Sequence, residues 1–116
     1  MKTSIYEDMT NSEKEVAAYL TKKRVWWQFE QAVYVKDDKE RPRVWTPDFY
    51  LPELGIYIEV CGHEKFDYSF RRKVYDKNKI PVIFIHKFKS KKEWEPYLID
   101  NIKRINEKRS KIIERL

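Results

Sequence analysis

A chain of 116 residues that is 41% hydrophobic and 16% aromatic can build a packed core, so a disordered polyelectrolyte is excluded although 38% of the residues are charged. Its apolar runs fall far short of the roughly 18 residues of a membrane span, and no apolar stretch follows Lys2 to make a secretory leader. The net charge of +6 is uneven: residues 1–86 carry 15 Lys and Arg against 14 Asp and Glu, and residues 87–116 carry 10 against 5.

In chain order, residues 10–23 read as a helix. Thr10 can cap it with Glu13 in a capping box, and Ser12 with Glu15 offers the same box two residues later. Val16, Ala17 and Leu20 form its apolar stripe, with Glu13 on the edge of that face. Residues 25–35, "VWWQFEQAVYV", are aromatic and β-branched and predict a strand; Glu30 within it is a surface position or points into a cleft. "KDDKERPR" is a polar turn, "VWTPDFYL" resumes an extended run, and "PELG" is a second turn. "IYIEVC" predicts a strand with Ile56, Ile58 and Val60 on one face and Tyr57, Glu59 and Cys61 on the other.

Residues 67–78 read as a helix, and "IPVIFIH" as a central strand buried on both faces. From about residue 90 to 116 the spacing of Trp94, Leu98, Ile102, Ile105, Ile112 and Leu116 predicts a basic amphipathic helix, with Ser90 as one possible cap. The order α-β-β-β-α-β-α implies a single α/β domain over 1–116, with a mixed sheet of about four strands flanked by helices.

Asp48 and Glu59 fall on consecutive extended runs joined by a short turn. Adjacent strands lie about 4.8 Å apart, so two carboxylates on one face can share a hard cation such as Mg²⁺ or Mn²⁺. Such an ion activates water and stabilises charge on a phosphate. Glu13 offers a third carboxylate. The bland alternative is a pair of solvated acids. Cys61 shares a face with Glu59, and His63 follows in the loop as a general base, a phosphate ligand or an ordinary loop residue. Zinc is not expected, because a zinc site needs about four ligands and the only other histidine is His86.

"TPDFYLPELGIYIEVCG" resembles the PD-(D/E)xK nuclease superfamily, the restriction-endonuclease-like fold. Pro47-Asp48 matches its first motif, Glu59 its second acid, and Glu13, or failing that Glu15, the acid of its first helix. The segment "FDYSFRRKVYDKNKIPVIFIH" is similar to the helix and strand that follow in small very-short-patch-repair-like endonucleases, and archaeal Holliday-junction resolvases share the core. The resemblance implies metal-dependent hydrolysis of DNA. Glu13, Asp48, Glu59 and the Cys61 main-chain carbonyl would hold Mg²⁺ or Mn²⁺. The family's lysine is replaced by Cys61, which carries no fixed positive charge. A migrated base is expected at Lys73 first and Lys65 second, with His63 as a further catalytic group. Arg71 or Arg72 can supply charge but stays protonated.

Phosphate contacts are expected from Arg71, Arg72, Lys87, Lys89, Lys91 and Lys92. DNA is the expected partner, RNA is an open alternative, and the long stripe of the last helix suggests a homodimer. A lone cysteine suits a reducing, cytoplasmic setting. The rival readings are a catalytically silent nucleic-acid-binding or accessory subunit, and a structural dimerisation domain.

Overall fold

The computed structural model describes residues 4–63, 65–87 and 93–116. Ser90, Lys89, Lys91 and Lys92, expected as a cap and as phosphate contacts, lie outside the described residues. After a short 3₁₀ turn at Ile5–Asp8, helix α1 spans Asn11–Lys22. Thr10 caps it as its sequence predicts. The Thr10 hydroxyl accepts the Glu13 N–H at 3.2 Å, and Glu13 Oε1 accepts the Thr10 N–H at 2.8 Å.

The run expected as one strand over 25–35 is two, β1 (Gln28–Phe29) and β2 (Val33–Lys36). The break is Glu30, which turns the chain at φ 56° and donates its N–H to the Asp48 carbonyl. The next run also divides. β3 (Pro42–Trp45) folds back on β2, and β4 (Phe49–Leu51) begins after Pro47, which has no N–H for a ladder. Five short strands therefore stand where three were expected, followed by α2 (Ser69–Lys77), β6 (Val82–His86) and α3 (Trp94–Glu114), with β5 at Ile56–Cys61.

A four-stranded mixed sheet runs in the order β1-β4-β5-β6, antiparallel except for the parallel β5–β6 pair, which α2 connects. The β2–β3 hairpin forms a separate sheet. Helices cover both faces, so the architecture is α/β. On one face Val16, Ala17 and Leu20 of α1 and Trp94, Leu98 and Ile102 of α3 pack on Phe49, Leu51, Ile56, Ile58, Ile83 and Ile85. On the other, Val74 and Tyr75 of α2 and Val35 of the hairpin pack on Cys61 and Phe84. The predicted alternation along "IYIEVC" therefore serves two cores at once.

Two local devices fix the geometry around the site. Gly55, at φ 62°, makes the β4–β5 turn, and Arg109 of α3 donates to the carbonyls of Leu54 and Gly55. The last helix thereby locks the turn that sets the register of β4 on β5. The hairpin is closed by buried Asp37, whose carboxylate accepts the N–H groups of Lys39 and Arg41 and the side chains of Arg41 and Arg43. Burial opposes ionisation of Asp37, yet these donors together hold its carboxyl far below the usual range.

Arg24, Glu30, Glu40 and Lys79 all turn the chain at positive φ, between 56° and 62°, without glycine. Among the described residues no helix is long and apolar enough to cross a membrane.

Candidate functional site

Asp48 sits in the bend one residue before β4, and Glu59 sits on β5. Phe49 pairs with Ile58, so the chain brings Asp48 level with Glu59 on the face opposite the first core. β4 begins too late to serve the N–H of Val60. The Asp48 carboxylate does so instead, with Oδ2 accepting at 2.6 Å. The side chain of Asp48 thus continues the ladder where the backbone of β4 has left it.

Glu13 arrives from the first turn of α1. Burial pushes the Asp48 carboxyl up to about 8, and a hydrogen bond to Glu13 with the negative charges of Glu59 and Glu13 adds to the shift. The Val60 N–H opposes it. Three acids from α1, the β4 bend and β5 therefore share one electrostatic environment.

Glu59 is 2% exposed. Burial raises its carboxyl, and Arg71 opposes that shift. The guanidinium of Arg71, in the first turn of α2, donates through Nη1 to Glu59 Oε2 at 2.6 Å. Its carbon stands 6.0 Å from the ring centroids of both Trp45 and Phe66. The sequence offered Arg71 as a phosphate contact and, with Arg72, as an alternative source of the charge expected first from a lysine beside the acids. The structure puts Arg71 itself on Glu59. The signal was the spacing: Glu59 and Arg71 are 12 apart, and a strand, a short loop and the first turn of a helix return the chain over that distance.

Cys61 is buried, and its Sγ lies 3.9 Å from the Glu59 carbonyl. Burial, then the charges of Glu59 and Asp48, push its thiol up to about 12. The Cys61 carbonyl, expected as a metal ligand, accepts the Lys87 N–H at 3.1 Å. Lys73 lines an open hollow with Asp38, Phe70, Val74 and Lys77. His63 and Lys65 stand exposed in the loop after β5.

Arg72 lies over the Phe84 ring, 4.8 Å from its centroid. Lys87, also expected to meet phosphate, is only 8% exposed in its side chain. It is ion-paired with Glu15 and sits 4.9 Å over the Trp94 ring. That pairing gives Glu15 a structural role and leaves Glu13 as the helix acid nearest Asp48.

The donor chemistry fits a hard divalent cation, since carboxylate oxygens are what Mg²⁺ and Mn²⁺ take. The arrangement is less complete. Among the described residues no three His, Cys, Asp or Glu side chains gather into a group that could hold an ion. Glu59, the most buried of these acids, is instead bonded to the guanidinium of Arg71. No family model, no curated protein and no solved structure matches this chain.

Proposed function

We propose that this chain is a metal-dependent endonuclease that hydrolyses phosphodiester bonds in DNA, built on a restriction-endonuclease-like core. The observation that carries the reading is the register that sets the partly buried Asp48 level with the buried Glu59 on one face of the sheet, with Glu13 of α1 beside Asp48. Clustered buried acids are costly, and a polyvalent cation removes the cost. Bound Mg²⁺ or Mn²⁺ would supply an activated water and neutralise charge on the phosphate. Asp48 and Glu59 would be its ligands, with Glu13 and the Cys61 carbonyl completing the set. The hydrogen bond from the Val60 N–H, which holds the Asp48 carboxylate in one orientation, supports that role.

Arg71 and Arg72 would meet the phosphate backbone, and Lys73, Lys65 or His63 would assist proton transfer. The exposed Ile112, Ile113 and Leu116 at the end of α3 support a homodimer, which suits cutting both strands. An intracellular, cytoplasmic setting belongs to the same proposal.

The deciding experiment assays wild type, Asp48→Asn and Glu59→Gln with Mg²⁺ or Mn²⁺ against plasmid, single-stranded DNA, a four-way junction and RNA. Cleavage that disappears in both variants supports the reading. Cleavage of no substrate overturns it. A second reading, a silent nucleic-acid-binding subunit, is favoured by the Arg71–Glu59 bond and by the thiol at position 61. It expects salt-dependent binding without metal-dependent cutting.

A further inference from the structure

The two partners of the Arg71–Glu59 bond differ in freedom. Glu59 is fixed on β5, an inner strand of the four-stranded sheet, and is 2% exposed, whereas the Arg71 side chain is 46% exposed on the surface of α2. One partner can leave without unfolding anything, and it is the cation. What would draw it off is an anion that a guanidinium prefers. Phosphate is such a group, because two parallel N–H donors match two phosphate oxygens, whereas Glu59 takes a single bond from Nη1.

Arg71 is also well placed to meet a phosphate. It emerges between the rings of Trp45 and Phe66, on the same turn of α2 as Arg72. We infer that Arg71 is a positioning residue that holds Glu59 in the free protein and releases it when a nucleic-acid phosphate takes the guanidinium, so that the acid cluster becomes ready for a divalent cation only once the substrate is seated. The inference rests on the nuclease reading and adds an order of events to it. It also explains why the acids and their arrangement disagree: the donor set fits a cation, while the free protein supplies its own.

Thermodynamic linkage makes the claim measurable without catalysis. If nucleic acid frees Glu59, it tightens divalent-cation binding, and the cation tightens nucleic-acid binding by the same factor. The experiment measures Mn²⁺ binding by electron paramagnetic resonance near pH 8, with and without a short DNA duplex. The proteins are wild type, Arg71→Ala, Arg71→Gln and Arg72→Ala, each checked for folding by circular dichroism. Arg71→Gln keeps most of the packing against Trp45 and Phe66, so a folding failure of Arg71→Ala leaves the test intact.

Wild type should bind Mn²⁺ about tenfold or more tightly once duplex is present. Both Arg71 variants should bind it that tightly without duplex and gain little from adding it. Arg72→Ala, which removes a phosphate contact but leaves the Glu59 bond intact, should bind Mn²⁺ no more tightly than wild type without duplex and should gain less from adding it. If the Arg71 variants bind Mn²⁺ no better than wild type alone, the gating role is overturned, and the nuclease reading survives provided that Mn²⁺ binding still requires Asp48. If no protein binds Mn²⁺ with or without duplex, both fall.

Discussion

The Asp48 carboxylate accepts the N–H of Val60 at 2.6 Å, and so does for β5 what the next residue of β4 would have done. One side chain thus serves both the sheet and the candidate site. Its carboxyl is pushed up to about 8, first by burial and then by Glu13 and Glu59. Between roughly pH 4 and 8 the folded protein keeps a proton that the unfolded chain has released. The contribution of this group to stability is therefore fully present below about pH 4 and is lost as pH rises through about 8. Asp48→Asn keeps an acceptor for Val60 and cannot ionise. Thermal melts from about pH 5 to 8 should show wild type losing stability steadily and the variant losing much less. Parallel curves would remove Asp48 as the cause.

Cys61 should be chemically quiet. Its thiol is buried between Val74, Tyr75 and Phe84 and pushed up to about 12 by burial, Glu59 and Asp48. The native protein should react with a thiol-specific disulfide reagent no faster than it unfolds, and denaturant should make the reaction immediate. Cys61→Ala should cost about 1 kcal/mol through the small cavity it leaves. A fast native reaction would mean that the second core is open.

Arg109 joins the last helix to the β4–β5 turn by donating to the carbonyls of Leu54 and Gly55. Arg109→Ala removes a charged donor from both, with an expected loss of about 1–3 kcal/mol. Amide exchange should quicken first at the turn and then at Val60, because the register that carries Asp48 depends on that turn. Uniform quickening across the sheet would argue against the link.

Leu98 is fully buried between α3 and the sheet. Leu98→Ala should destabilise by about 2–5 kcal/mol, read from urea denaturation with an unchanged slope. The same truncation at Ile112, which is half exposed, should change the monomer little and instead lower any self-association seen by analytical ultracentrifugation.

Much of this was legible in the residues. Thr10 and Glu13 announced the first helix because a capping box is a local hydrogen-bond pattern, complete within four residues. "IYIEVC" announced its two faces because alternation is local as well. The division of residues 25–35 was not legible, since nothing about a glutamate at position 30 signals a left-handed turn that the Asp48 carbonyl helps to hold. Nor was the division at Thr46–Asp48, where the chain leaves the separate β2–β3 sheet and enters the main one. In the site, Asp48 and Glu59 could be placed by register, but the pairing of Lys87 with Glu15 and of Arg71 with Glu59 is tertiary. Charge counts cannot separate a lysine that meets solvent from one laid over Trp94.

The four left-handed turns at Arg24, Glu30, Glu40 and Lys79 carry a consequence for heat. A glycine at each would relieve roughly 1 kcal/mol of steric conflict in the native state. It would also give the denatured chain more conformations to lose. The relief is largely an energy and changes little with temperature, whereas the lost conformations count in proportion to absolute temperature. By using glutamate, arginine and lysine at these corners, the chain accepts some strain when cool in exchange for a less disordered unfolded state when hot. Replacing the four residues by glycine should therefore cost more at the melting temperature than at room temperature.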